Sequence, residues 1–463
     1  MKMIDVNSPF DGSKVGEVKF SSKEEVEQTI NNAHNLFLDK SKHLNKVQRI
    51  EILEKAIDII AKNKDELVKL TASEGGKPWV DSVVEVDRAI GGIKIAIEHL
   101  STDGGVEVPM GHTPSSLNRI AYTFKEPIGV VAAISAFNHP FNLAIHQIIP
   151  AVAIGCPVIM KPALQTPMSA IRLVEILEEA GLPKGWASVV VCDDSSSEYL
   201  ATSPKIDFLT FIGSAKVGWY LNSKVAPGTR VALEHGGVAP VIIEPTANID
   251  ELIPAIGKGG FYHAGQVCVS VQRVFVHSSI CDEVASKLTT YASNLIVGDQ
   301  MDSKTEVGPL ISHNEVVRVE QWIENAKEKG GKILTGGKRI SESCFEPTVI
   351  LNPAYDALVS TKEVFAPVIC IYSYNDIDDA INKANSLEFS FQASIFTKDI
   401  DVAFKCVKNL NATTVMVNDH TAFRVDWMPF GGAKQSGLGM GGICNSMDDI
   451  CVEKMMVFKS PSL

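Results

Sequence analysis

What this sequence lacks narrows its function before any motif is read. No two of its nine cysteines form a C-x-x-C pair; they stand singly at positions 156, 192, 268, 281, 344, 370, 406, 444 and 451. An odd, dispersed set argues against a disulfide framework or a zinc module, so no metal site is expected and the thiols read as reduced, in a cytoplasmic protein. Basic clusters are missing too. With a formal net charge of −12, the chain is not expected to bind nucleic acid, which requires basic patches. The N-terminal MKMIDVNSPFDG has no apolar signal-peptide core. No apolar run is long enough to span a bilayer either: between Glu126 and Lys161 there is no Asp, Glu, Lys or Arg, yet Asn138, Pro140, Asn142, Pro150 and Pro157 interrupt the stretch. It reads as strand, loop, helix and strand, all buried.

What is present is an ordinary globular composition, 45% hydrophobic and 21% charged, in a chain of 463 residues, enough for about three domains. Ser22 and Glu25 have capping-box spacing ahead of a helical stripe of Val26, Ile30, Ala33 and Phe37. Helices are also expected from about Val47 and over 79–99, and the polar segment 101–118 reads as a loop. Arg119 to Phe124 alternates like a strand outside the main sheet. Strands and helices then alternate from 129 to 234, which predicts a parallel, doubly wound sheet. One helix in this series is marked by Thr166 as N-cap, Pro167 at its first position and Gly181 after its end. A second α/β series starts near residue 240, with Gly236 and Gly237 as the hinge. A GxGxxG match at Gly437, Gly439 and Gly442 lies too near the end of the chain for the βαβ unit that would make it a phosphate loop.

Several stretches carry chemistry. In GGFYHAGQVCVSVQRVFV, Cys268 sits where a loop feeds an apolar strand, with Gly265 giving open backbone beside the thiol. A nucleophile there competes with inert packing, the usual state of a buried cysteine. Upstream, Glu234 ends an apolar run and is followed by His235, Gly236 and Gly237; downstream, Glu363 lies two residues before Phe365, just ahead of another strand. Phe211 to Ser214 is a strand running into a helix whose free N–H groups suit a pyrophosphate. Lys161 closes the uncharged run.

Together with ISAFNHPFN, VIMKPALQTP, FIGS and PFGGAKQSGLG, these motifs resemble the aldehyde dehydrogenase superfamily over nearly the whole chain, in the family's order. The resemblance implies an α/β fold with a Rossmann-type cofactor domain (1–111 and 130–236), an α/β catalytic domain (237–439) and a small β oligomerisation arm with a C-terminal tail (112–129 and 440–463). It also implies a homodimer or homotetramer and NAD or NADP as cofactor. By the same resemblance Lys161 holds the adenosine ribose, Gly213 and Ser214 adjoin the pyrophosphate, and Glu363 and Phe365 attend the nicotinamide end. Leu164 stands where the family often has a glutamate; a carboxylate there would repel a 2′-phosphate, so NADP is expected to be accepted.

The expected chemistry splits oxidation from hydrolysis. Cys268 attacks the aldehyde, the Asn138 amide and the Cys268 N–H receive the oxyanion, and Glu234 activates the water that releases the acid. Asn138 as a turn residue and Glu234 in a hinge ion pair are the bland alternatives. Acylating relatives that pass the acyl group to coenzyme A lack the base, so Glu234 favours a carboxylate product. A protein keeping only the fold, or a thiol hydrolase using Cys268 with His263 or His235, are competing readings. The loop before the FGG motif carries His420 and Arg424 and resembles that of the lactaldehyde, sulfolactaldehyde and phosphonate-aldehyde branch. With His139 it predicts a short, polar aldehyde, against a scaffolding role in which Arg424 pairs with Asp426 or Asp419.

Overall fold

The computed structural model describes residues 2–102 and 104–463. Two open sheets organise it. The first has six strands in the order Gly437–Leu438, Arg230–Glu234, Phe208–Ile212, Val131–Ile134, Val158–Lys161 and Ala187–Val189, all parallel except the first, which runs antiparallel to Arg230–Glu234. Its central strands, Val131–Ile134 and Val158–Lys161, are buried on both faces, which explains their apolar character. Val131 and Ala133 face the core under the helices Pro140–Ile154 and Met168–Glu179, while Ala132 and Ile134 face the helices Lys23–Leu38 and Asp194–Thr202. Every residue of Pro140–Ile154 is buried, Asn142, His146 and Gln147 included. That is why the run carries no charge, and the helix continues through Pro150, which the sequence had suggested as a break.

The second sheet has seven strands, ordered Lys332–Thr335, Thr348–Leu351, Val368–Tyr374, Arg273–His277, Pro240–Ile243, Gln392–Phe396 and Thr414–Val417, with only the first pair antiparallel. Outside both lies a three-stranded antiparallel arm, Cys451–Lys459 with Arg119–Pro127 and Glu107–Val108. Glu107–Val108 falls in the segment read as loop. Residues ahead of the last strand do not belong to the arm: Ile443, Met447 and Ile450 pack into the core beneath the Pro140–Ile154 helix. An N-terminal hairpin, Lys2–Asn7 with Lys14–Phe20, was not anticipated.

The Ser22–Glu25 capping box forms as its spacing predicts, with both reciprocal bonds made. The expected Thr166 cap does not. Thr166 is buried with no partner for its hydroxyl, and the helix Met168–Glu179 is capped from a distance by Glu74, whose carboxylate accepts from the Met168 and Ser169 N–H groups at 2.8 and 2.9 Å. An anion over two free N–H groups and the positive helix end does more than a hydroxyl. The GxGxxG match resolves as structure: Gly437 pairs with Glu234 across the sheet edge, and a side chain on it would meet the Leu233 carbonyl at 2.3 Å.

Candidate active site

Strands of the first sheet end at Ile134, Lys161, Ile212 and Glu234, and the loops carrying Cys268 and Glu363 lead into strands of the second. Between these ends lies a cavity of about 850 Å³. Its wall brings together Asn138, His139, Lys161, Leu164, Gly213 and Ser214 from the first half of the chain, and Glu234, Cys268, Glu363, Phe365 and Arg424 from the second. His420 is the expected site residue that does not line it. That side chain packs against the helix ahead of the Cys268 loop, so close that a Cβ on Gly259 would lie 2.8 Å from its own Cβ.

The Cys268 loop is held by its backbone. His263, Ala264 and Gly265 have successive positive φ values of 48°, 54° and 69°, a left-handed turn that only tight surroundings maintain. Gly265 serves this turn and not access to the thiol: a Cβ there would sit 2.1 Å from the Ala366 carbonyl oxygen. Gln266 spans the loop's base, donating to the Pro309 carbonyl at 3.1 Å and accepting from the Ile311 N–H at 2.9 Å, while its own carbonyl receives Asn138 Nδ2 at 2.9 Å. One amide hydrogen of Asn138 is thereby fixed. The second remains free to meet an oxyanion, the geometry that such a donor requires. Gln272 ties the same loop to the Glu363 segment through bonds to the Val359 and Lys362 carbonyls and from the Val364 N–H, at 2.8, 2.7 and 3.0 Å. Neither glutamine was singled out in the sequence, since nothing local distinguishes a clamping glutamine from a surface one.

Burial, and then the neighbouring Glu234 carboxylate, push the Cys268 thiol well above its ordinary range, so it rests protonated. Glu234 is itself raised by burial, against the opposing pull of Arg424. A carboxylate so placed is a stronger base than an exposed one. The histidines are poorly suited to activate the thiol. His235 engages the Gln435 carbonyl through Nδ1 at 2.9 Å, and burial holds His263 well below the ordinary imidazole range, so it is a weak base.

At the far end of the cavity the residues fit a dinucleotide. Lys161 is mostly buried with no hydrogen-bond partner among the described residues, and burial lowers its pKa against the attraction of Cys192 and Asp194. Ser214 stands at the start of the helix Ala215–Asn222 with an extended backbone, leaving that helix's first N–H groups to the cavity. Glu363 is the other orphan. Its Oε1 is buried without a partner, and burial pushes its carboxyl up to about 8 against Arg318 and the Gly237 N–H. The backbone of Gly236 leaves the space that carboxylate fills, since a Cβ there would lie 1.6 Å from it. Ribose hydroxyls would satisfy both Lys161 and Glu363. Phe365, at φ 50°, packs edge-on against Phe137 at 5.8 Å. Leu164 is 37% exposed in this wall, and Asp194 and Glu198 line it too, so the missing carboxylate at 164 does not leave the region free of negative charge.

At the aldehyde end, Arg424 does not pair with Asp426 or Asp419. Asp426 is taken by Arg88 through two bonds of 2.6 and 3.1 Å and accepts from His146 Nε2 at 2.8 Å. Although burial opposes it, these partners hold the Asp426 carboxyl far below the usual range. His146, lowered to about 4 by burial and then by Arg424, is neutral, so its Nδ1 accepts from Arg424 Nη2 at 3.4 Å. The Arg424 guanidinium lies 3.6 Å from the centre of the Phe430 ring, and its Nε has no partner. Arg88 and His146 were not anticipated as site residues.

The known proteins this chain resembles bear directly on this site. The model of the aldehyde dehydrogenase family matches residues 1–456. A 3-sulfolactaldehyde dehydrogenase of Priestia megaterium is 36% identical over 455 residues, covering 98% of this chain and 94% of that one. A lactaldehyde dehydrogenase of Methanocaldococcus jannaschii is 36% identical over 459 residues, covering 98% and 97%. Among solved structures, a glyceraldehyde-3-phosphate dehydrogenase from the same archaeon complexed with NADP superimposes with a TM-score of 0.94 at 35% identity, covering 99% of each chain. A betaine aldehyde dehydrogenase of Staphylococcus aureus in complex with NAD+ does so at 0.93 and 29%, covering 98% of this chain and 91% of that one. The fold and cavity are those of a dinucleotide-linked oxidoreductase. The chain belongs to the aldehyde dehydrogenase family, and it oxidises aldehydes to acids with NAD or NADP. A protein that merely keeps the fold is thereby set aside. No helix among the described residues is long and apolar enough to cross a membrane.

Proposed function

We propose that this dehydrogenase works through Cys268, Asn138 and Glu234 on a short aldehyde carrying a polar or acidic group. The observation that carries the substrate class is Arg424: a buried guanidinium in the cavity that makes no ion pair with Asp426, which Arg88 and His146 occupy, and that is attracted chiefly by Glu234 without a salt bridge to it among the described residues. A buried cation without a carboxylate partner is costly unless something anionic joins it, and a guanidinium suits a carboxylate, sulfonate or phosphonate oxygen pair.

Glu234 takes the thiol proton and passes it to solvent, and the Cys268 sulfur attacks the aldehyde carbon. The oxyanion is met by the free hydrogen of the Asn138 amide and the Cys268 N–H. A nicotinamide held by Glu363 and Phe365 would supply the acceptor for the hydride that leaves this carbon as the oxyanion collapses to the Cys268 thioester. Glu234 then removes a proton from water as it attacks the thioester on Cys268, which regenerates the thiol and releases the acid. Because this base reaches the cavity, hydrolysis is favoured over transfer to coenzyme A.

Short acidic aldehydes are expected to exceed hexanal in kcat/KM, and Arg424→Ala to lower kcat/KM about 10- to 100-fold for acidic aldehydes while neutral ones change little. Equal losses on both would make Arg424 scaffolding. Run with each cofactor, the same assays are expected to show that NADP is accepted, on the strength of Lys161 and the missing carboxylate at 164; strong selectivity for NAD would overturn that part.

We infer further that the chain forms a homodimer or homotetramer through its arm. The support is the arm's exposed apolar side chains, Tyr122, Phe124, Met456 and Phe458 on one face and Met455 and Val457 on the other, the kind of apolar surface that marks an interface. Light scattering at micromolar concentration checks this, and a monomer would refute it.

A further inference from the structure

Three buried groups lie behind the aldehyde end of the cavity with no part in the mechanism above. Lys77 and Glu85 have side-chain exposures of 0% and 1% and form an ion pair. The other oxygen of Glu85 accepts from the Phe141 and Asn142 N–H groups at 2.9 and 3.0 Å, anchoring the start of the helix that follows His139. Lys77 Nζ also contacts His139 Nδ1. An ammonium has three donors and no lone pair, so the Nδ1 it meets must be the acceptor and the imidazole proton must reside on Nε2. Nε2 has no hydrogen-bond partner among the described residues, and the ring lines the cavity beside Asn138 and Cys268. The charged and titratable groups around the ring are Lys77, Glu85, Tyr262, His263, Arg88 and Arg424. Of the carboxylates, Glu85 is committed to Lys77 and two backbone N–H groups, and Asp81, which burial pushes up to about 7, faces Lys77 and the His263 backbone. Nothing there favours a second positive charge, and burial followed by Lys77 keeps the imidazole neutral.

We propose that Lys77 is a positioning residue that locks His139 as the neutral Nε2–H tautomer, and that this N–H is a specificity donor to an oxygen substituent on the aldehyde's carbon chain. The ligand depends on the reading of a polar substrate given above, but the role differs from that of Arg424. The guanidinium selects for charge. The imidazole N–H selects for an uncharged oxygen acceptor, so the two can fail separately.

The test compares methoxyacetaldehyde with butanal, two aldehydes of nearly equal shape that differ by one acceptor-only oxygen. The parent is expected to prefer the ether about five- to tenfold in kcat/KM, one neutral hydrogen bond, with a ratio that does not vary with pH because the titrations of Cys268 and Glu234 act on both substrates alike. His139→Gln keeps an N–H near the Nε2 position and should retain most of the preference. His139→Asn keeps only the Nδ1 position and should lose it. In Lys77→Met, Glu85 is left facing Nδ1. The neutral ring then carries its proton there, and the preference should vanish near pH ~8 and return as the pH falls through the ordinary histidine range and both nitrogens become donors.

Removing one member of a buried pair can unfold a protein. The second measurement therefore uses the parent enzyme: long-range 15N–1H correlation on histidine-labelled protein, assigned by comparison with His139→Gln. A proton on Nε2 of His139 at pH ~7 is the expected result. A proton on Nδ1, an imidazolium, equal ratios in the glutamine and asparagine variants, or no preference for the ether in the parent would each overturn the proposal. Loss of the acidic-aldehyde preference with the ether preference intact would refute the Arg424 reading alone.

Discussion

Cys268→Ala is expected to lower aldehyde oxidation by a factor on the order of 10⁴ or more, to the limit of detection by nicotinamide absorbance. The reason is chemical. An aldehyde has no hydride to give up readily until a nucleophile has made its carbon tetrahedral, and Cys268 is the cysteine that lines the cavity. The fold should survive, because the side chain is only partly buried and loses a single sulfur atom, a change that costs about 1 kcal/mol or so. Thermal unfolding within a few degrees of the parent would show this. Residual turnover of a few per cent in a folded Cys268→Ala enzyme would mean that a water or another side chain attacks the aldehyde, and the thioester route would have to be abandoned.

Glu234→Gln is expected to separate the two half-reactions. The glutamine fills the same space but takes no proton, so acylation proceeds more slowly and hydrolysis of the thioester nearly stops. A burst of about one reduced cofactor per site should precede a steady state reduced about 10²- to 10³-fold, the usual range for loss of a general base. Intact-protein mass spectrometry should then find the acyl group on Cys268. In the parent, hydrolysis needs the ionised carboxylate. Because burial raises the Glu234 pKa, kcat should rise with pH through a pKa above the ordinary carboxylate range, and this limb should be absent from the variant. Steady turnover near the parental rate without a burst would show that deacylation uses another base.

Cys268, Glu234 and Lys161, which line the cavity, were legible because their chemistry is local. A thiol ahead of an apolar strand, a carboxylate at a strand end before two glycines and a lysine closing an uncharged run each announce themselves within a few positions. The groups that hold them in place do not. Arg88 and Asp426 are 338 residues apart, and only the folded chain shows that Arg88 removes the acid that would otherwise have neutralised Arg424. Glu74 caps a helix 94 residues away, where the local pattern pointed to Thr166. Lys77 stands between Gly76 and Pro78, and nothing in that local context marks a buried ion pair. His420 failed in the opposite way: it stands in the right loop, but which way a loop side chain turns is decided by packing, here against Gly259. The GxGxxG match was rightly discounted, though the part its first glycine plays in the sheet came only with the structure.

That glycine segment also governs how the two halves of the molecule can move. The main chain passes from the first sheet to the second at Gly236 and Gly237. Near its end it returns: Ala433–Lys434 pairs with Phe389–Ser390 beside the second sheet, and Gly437–Leu438 pairs with Glu234 and Leu233 in the first. Between these strands the Ser436 carbonyl accepts from the His235 N–H at 3.0 Å, while its hydroxyl accepts from the Ser390 N–H at 3.1 Å. Two crossings side by side behave like a door hung on two pins, which permits swing about the line joining them and resists twist. Glu234 sits on that line. Opening the cleft to release a dinucleotide would therefore displace Lys161 and Glu363 relative to one another while leaving the Glu234 carboxylate almost stationary.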